Sequence, residues 1–237
     1  MSDTLLQYSL EGDVATLQLN DGKANALSYE MIAALSAAIK RAESEARVAV
    51  ILGRPGKFCA GFDLKVMQRS ISDAADLLTE GGALYVQMLR SSIPLLSACT
   101  GHALAGGALL LLASDYSIGV EGSFKLGLNE VHIGLPLPLL ALELTRNKLD
   151  PRRLSEATLL GQLYAPTEAQ RVGYLNETCT PEDFEAIIQE RAAAMTQIHP
   201  LAFRETKRRI WGDLATKIEE TLKSDLDSIR TLDGTMS

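Results

Sequence analysis

The sequence predicts an α/β fold, and three observations predict it. Val48–Leu52 is a short, continuously apolar run that reads as a strand buried on both sides, Pro94–Cys99 reads as another buried strand, and Tyr116–Val120 as a further one. Helical stretches separate them, as parallel crossovers require. Two glycine-bearing segments, Phe58-Cys59-Ala60-Gly61-Phe62-Asp63-Leu64 and Gly101-His102-Ala103-Leu104-Ala105-Gly106-Gly107, each follow a strand-like run and lead into a helix-like one.

Taken in order, Tyr8–Leu19 alternates and is rich in Val, Leu and Thr, giving strands around the turn Glu11-Gly12-Asp13. Asn20–Asn25 is a polar loop. Ser28 stands where an N-cap belongs, and an amphipathic run to about Ala46 sets Met31, Ile32, Leu35 and Ile39 on one face. Val48–Leu52 ends at Gly53. A second helical pattern covers Asp73–Ser92, with Gly81-Gly82 as a candidate break. Gly106–Ala113 is apolar throughout, which makes it a buried helix. Beyond Pro151 the pattern turns helical, at Arg152–Leu160, Thr167–Val172, Pro181–Gln197 and Leu201–Leu232, with no strand signal of length. The expected division is an α/β core over residues 1–150 and a helical region over 151–237. The apolar stripes of that region need a surface to bury against, and a neighbouring subunit supplies one.

At 237 residues the chain fits one sizeable domain with a helical appendage. A net charge of −7 argues against nucleic acid as a general partner, while leaving room for an anionic ligand held by a local cation cluster. Cys59, Cys99 and Cys179 are too few and too odd in number for a disulfide framework and point to a reducing compartment. Metal-ligand spacing is missing. Met1-Ser2-Asp3-Thr4 lacks the basic-then-apolar pattern of a leader, and no apolar run reaches the ~20 residues that span a bilayer. The expectation is a cytoplasmic protein with no membrane contact.

Chemistry concentrates at the glycine segments. Gly61, Gly106 and Gly107 each permit a tight strand-to-helix turn, and taken singly that is sufficient reason for them. Two such turns in one core can also aim backbone N–H groups at a single point. The second opens a helix, whose first N–H groups are unpaired and carry partial positive charge. The favoured donors are the N–H groups of Phe62 and Gly106, and their natural ligand is an oxyanion. Glu130, in Gly127-Leu128-Asn129-Glu130, sits among Val131, Ile133 and Leu135. Burial there raises its pKa and makes it a proton acceptor near neutrality; a solvated loop carboxylate is the alternative. His132 reads as a packing or surface residue. The basic run Arg204–Arg209 is by default a solvated helix face, with phosphate contact as its functional alternative, and Lys65 is a second phosphate candidate. No triad arrangement, phosphate-loop pattern or G-x-G-x-x-G is present.

At these residues the chain closely resembles the crotonase superfamily, the enoyl-CoA hydratase/isomerase family, over nearly its whole length. Asn25-Ala26-Leu27, Phe58–Leu64, Gly101-His102-Ala103 through Ala113-Ser114-Asp115-Tyr116, Gly127–Glu130 and Ala165–Ala169 with Val172–Leu175 fall in the family's order and spacing. The resemblance implies a spiral of ββα units, a C-terminal helical trimerisation region, and a homotrimer or dimer of trimers. It implies an acyl-CoA thioester as substrate, coenzyme A being part of that substrate and no separate cofactor or metal being needed. It places the thioester oxygen between the amides of Phe62 and Gly106, with Glu130 as the catalytic carboxylate. The substrate-binding positions it implies are Ala60, Phe62, Asp63, Leu64, Lys65, Gly106 and Leu109.

Two-glutamate hydratases of the family carry their first glutamate where this chain has Leu109, and their second at Glu130. One glutamate suffices for a proton shift from C2 to C4, so the resemblance favours a 3-enoyl-CoA to 2-enoyl-CoA isomerase. The alternatives are hydration or thioester hydrolysis with a water held by Glu130 alone, or a non-catalytic acyl-CoA-binding protein. Where hydratases carry Pro-Gly-x-Gly-Gly, this chain has Leu135-Pro136-Leu137-Pro138-Leu139, which alters the loop beside the acyl tail. Arg146 and Lys148 are given no role.

Overall fold

A hairpin, β1 (Leu6–Glu11) and β2 (Val14–Leu19), opens the fold, antiparallel and in register from Leu6↔Leu19 to Glu11↔Val14. The computed structural model describes residues 5–232; Met1–Thr4, read above for a leader, and 233–237 lie outside the described residues. Helix α1 (Tyr29–Glu45) begins where the Met31 N–H donates to Ser28 Oγ at 3.2 Å, and it buries Met31, Ile32, Leu35 and Ile39.

Strand β3 (Val48–Leu52) then runs parallel to β2. From here the chain repeats one step. A strand in a large sheet is followed at once by a strand in a small sheet: β3 by β4 (Gly56–Cys59), β5 (Leu95–Cys99) by β6 (Gly101–Leu104), and β7 (Tyr116–Val120) by β8 (Leu126–Gly127). Helices α2 (Leu64–Met67) and α3 (Ile71–Arg90) close the first step, and α4 (Gly106–Ala113) closes the second. Successive steps stack tightly. A Cβ placed on Gly101 would lie 2.0 Å from the Gly56 carbonyl carbon, so only glycine fits there.

The remaining elements are a 3₁₀ turn at Glu130–Ile133, α5 (Leu139–Lys148), α6 (Leu154–Thr158), α7 (Pro166–Val172), β9 (Glu177–Cys179), α8 (Phe184–Thr196) and α9 (Pro200–Leu232). The large sheet runs β1-β2-β3-β5-β7-β9, parallel throughout except for the hairpin, and the small one β4-β6-β8. Every residue of α4 is buried.

The α/β class is as the sequence predicts, and three details differ. Each glycine segment begins in a strand of a second sheet, β4 ending at Cys59 and β6 covering Gly101–Leu104, and these strands are too short to show strand periodicity. Helix α3 is unbroken at Gly81-Gly82, because both glycines face packing partners: a Cβ on Gly81 would lie 2.3 Å from the Phe62 ring, and one on Gly82 2.7 Å from Leu222. Past Pro151 the chain adds a strand, β9, to the sheet edge beside β7. Among the described residues, no helix is long and apolar enough to cross a membrane.

Candidate active site

The two glycine turns meet. A Cβ on Gly61 would lie 2.8 Å from Ala105 Cβ and 3.2 Å from the Gly106 nitrogen. Gly61 holds φ +93°, a conformation that favours glycine, and this swings the chain from β4 into the site. Leu27 then pairs with Phe62 as in a parallel ladder: the Leu27 N–H donates to the Gly61 carbonyl at 2.8 Å, and the Asp63 N–H to the Leu27 carbonyl at 3.2 Å. That pattern turns the Phe62 N–H to the opposite side, and no acceptor among the described residues takes it.

On the second turn Ala105 adopts φ 49° and ψ −122°, a strained conformation for a residue with a side chain. Its N–H donates to the Gly127 carbonyl at 2.9 Å, and its carbonyl accepts from Ala108 and Leu109. The Gly106 N–H is thereby left at the open N-terminus of α4, with no acceptor among the described residues. Two unpaired amides on adjoining turns are able to donate together to a negatively charged oxygen.

Beside them lies a cavity of about 470 Å³. Of the positions named from the sequence, Ala60, Phe62, Leu64, Leu109 and Glu130 line it, and Gly106 is buried just behind Ala105. Asp63 and Lys65 do not line it. The Asp63 carboxylate caps α2 by accepting from the Lys65 N–H at 2.9 Å, and the Lys65 side chain stands exposed on that helix. The far wall comes from α2 and α3 through Met67, Ile71, Ala74, Ala75 and Leu78, with Pro136, Pro138 and Leu140 opposite. Pro136 and Pro138 belong to the loop that the resemblance set beside the acyl tail, whereas no sequence signal marked Met67, Ile71, Ala74, Ala75, Leu78 or Leu140.

Glu130 opens the 3₁₀ turn directly after β8, so the pairing of β8 with β6 fixes it relative to the second glycine turn. It is the one carboxylate lining the cavity among the described residues. Its Oε2 is buried without a hydrogen-bond partner. Burial pushes its carboxyl pKa up to about 7, partly opposed by the N–H groups of Glu130 and Asn129. Leu109, 2% exposed, presents only a hydrocarbon side chain. His132 is exposed on the outer side of the turn.

The basic run does not converge on a ligand site. Lys207, 4% exposed, is buried against Asp115 at 2.7 Å, while Arg204 and Arg208 both pair with Glu205. The solvated-face reading holds for Arg204, Arg208 and Arg209, which are exposed, but not for Lys207, which is committed inside the fold. Among the described residues no group of three or more His, Cys, Asp or Glu is placed to hold a metal ion.

A spiral of ββα steps, each pairing a strand of the large sheet with one of the small sheet, is the crotonase fold, and here it sets two unpaired amides and a half-buried carboxylate beside a largely apolar cavity. The family model for enoyl-CoA hydratase/isomerase matches residues 9–233, and the chain belongs to that family. It is 32% identical over 184 residues to the mitochondrial enoyl-CoA delta isomerase 1 of Rattus norvegicus, a match covering 76% of this chain and 63% of that protein. The chain thus spans about three fifths of the length of the rodent relatives it matches. Its fold superimposes on an enoyl-CoA hydratase/isomerase family protein from Pseudomonas syringae with TM-score 0.89 and 35% identity, covering 96% of this chain and 97% of the other. On human mitochondrial delta3-delta2-enoyl-CoA isomerase the TM-score is 0.91 at 25% identity, covering 97% and 92%.

Proposed function

We propose that the protein is an acyl-CoA isomerase that moves a double bond from the 3- to the 2-position of an enoyl-CoA. The observation that carries this reading is Glu130 as the one carboxylate, among the described residues, lining a largely apolar cavity, its pKa lifted to about 7 beside two unpaired backbone amides. The thioester oxygen sits between the N–H groups of Phe62 and Gly106. Ionised Glu130 takes a proton from C2, and the electron pair moves onto the thioester as an enolate that the two amides stabilise. The enolate collapses, the double bond forms between C2 and C3, and C4 takes the proton back from Glu130. Atoms and charge balance with no water consumed. A base that releases the same proton needs a pKa between those of a free carboxylate and the substrate carbon, and burial moves Glu130 in that direction.

Leu109 supports isomerisation over hydration, since a hydrocarbon side chain can neither hold nor activate a water. The relatives named for enoyl-CoA delta isomerisation lend weight to the same side. The exposed Leu159, Leu160 and Ile210, at 71%, 66% and 57%, support assembly with further copies, for which a trimer is the proposal.

The test is conversion of 3-enoyl-CoA to 2-enoyl-CoA by wild type and Glu130→Gln, with hydration of 2-enoyl-CoA assayed in parallel. Loss of the base is expected to slow isomerisation by roughly 10²–10⁴-fold while acyl-CoA still binds. Rapid hydration by the wild type would replace this reading with a hydratase, and an unchanged rate in the variant would take Glu130 out of the mechanism.

A further inference from the structure

One helix holds both amide donors. The Tyr85 hydroxyl donates to the Gly106 carbonyl at 2.8 Å, and its ring meets the Phe62 ring edge-on, with centroids 6.5 Å apart and planes at 80°. Tyr85 is fully buried. One turn earlier on α3, Gly81 leaves the space the Phe62 ring occupies. The three groups are in mutual contact, because a Cβ on Gly106 would lie 2.9 Å from the Tyr85 hydroxyl and 2.9 Å from Phe62 Cε2.

From this arrangement we infer that Tyr85 is a positioning residue for the oxyanion site, holding Gly106 and Phe62 so that their N–H groups converge on the thioester oxygen. Ala105 stores strain immediately before Gly106, and strained residues persist only where their surroundings over-determine them. Relaxing Ala105 means turning the Ala105–Gly106 peptide, which carries the Gly106 N–H away from the cavity. By fixing the carbonyl side of Gly106, the Tyr85 hydroxyl removes the freedom at Gly106 that such a turn would use. Burial raises the Tyr85 pKa well above its ordinary value, and an ionised Glu130 adds to the rise, so the hydroxyl keeps its proton and stays a donor. A buried phenol is satisfied only by such a bond, so the hydroxyl gives Tyr85 a role that packing alone does not require.

The inference rests on the reading of Phe62 and Gly106 as thioester-oxygen donors, and its test separates the two. Wild type and Tyr85→Phe are saturated with octanoyl-CoA carrying an isotope-labelled thioester carbonyl, and the carbonyl stretch is read by difference infrared spectroscopy. Steady-state isomerisation and thermal unfolding are measured alongside. In the wild type, binding should lower the carbonyl frequency. Tyr85→Phe should shrink that downshift and reduce kcat on the order of tenfold, less than the ~10²–10³-fold of deleting a donor, with KM nearly unchanged. A full downshift and full kcat in Tyr85→Phe would overturn the role. Should that variant not fold, Gly81→Ala, which presses on the Phe62 ring, should shrink the downshift in the same way, and an undiminished downshift there would overturn it equally. A wild type that polarises the carbonyl without isomerising removes the proposed reaction and leaves Tyr85 in place. A wild type that binds with no downshift removes the donor pair, and the role of Tyr85 with it.

Discussion

Lys207 Nζ lies 2.7 Å from Asp115 Oδ2, and this buried pair fastens the C-terminal helix α9 to the start of β7, the strand that precedes β8 and Glu130. The same carboxylate oxygen accepts the Leu95 N–H at 2.9 Å, so one side chain ties α9, β5 and β7 together. Lys207→Met leaves that carboxylate without its cation. The expected cost is roughly 3 kcal/mol in denaturant unfolding, the range for breaking a buried pair from one side. Activity per folded molecule should hold. A loss under 1 kcal/mol would show that the pair is dispensable.

Glu130 sets a pH dependence with a definite sign. Its carboxyl pKa rises from 4.5 to about 7 on folding, and the proposed base role requires the ionised form. In the proposed reaction kcat/KM should rise with pH, level off above about 7, and fall about tenfold per pH unit below it. Stability runs the other way. The native protein holds this proton more tightly than the unfolded chain, so the contribution is full below 4.5 and lost as pH rises through about 7. Glu130→Gln should therefore be more stable to unfolding than wild type at pH ~8, by up to about 3 kcal/mol, and gain little at pH ~5. Equal gains at both pH values would contradict the assignment.

Gly61→Ala tests the junction of the two turns. Its φ of +93° strains any other residue, and the new methyl would lie 2.8 Å from Ala105 Cβ. Destabilisation of roughly 2–4 kcal/mol is expected, with turnover of the folded fraction falling further than stability alone explains. Calorimetry and a rate corrected for folded fraction separate the two effects.

The cysteines give a probe of global opening. Cys59, Cys99 and Cys179 are free and buried, and burial pushes the thiols of Cys59 and Cys99 up to about 12. Native protein should resist a thiol reagent at pH ~8 and label only at the rate of unfolding. Rapid labelling of Cys59 would mean that the first glycine turn opens locally.

Much of the site was legible because its parts are backbone features that leave marks in sequence. A glycine at φ +93° and a helix opening on Gly106-Gly107 cannot be built from other residues, and a lone carboxylate amid apolar neighbours stands out. The cavity's far wall was not legible, since Ile71, Ala75 and Leu78 look like any amphipathic stripe. Tyr85 was hidden for the same reason: a tyrosine in an apolar helix face announces burial, and only the fold shows which carbonyl its hydroxyl meets. Gly81-Gly82 misled in an instructive way. Paired glycines weaken a helix locally, but here the Phe62 ring and Leu222 fill the space that their missing side chains leave. The second sheet escaped because its strands are two to four residues long and are held by stacking between steps of the spiral. Lys207 lay inside a basic run that read as solvated, and nothing in that run distinguished the one cation that turns inward.

The strained Ala105 has a consequence for how the molecule matures. Its conformation is held by Gly127 through a 2.9 Å hydrogen bond and by the close approach of Gly61, contacts supplied by segments far apart in the chain. None of these segments can impose the geometry alone, and each closes a long loop before it contributes. A partly folded chain can already hold its helices and much of the large sheet and still lack the paired turns of the proposed site. Recovery of the proposed turnover during refolding should then trail recovery of helix signal, which would make it the strictest reporter of the finished fold.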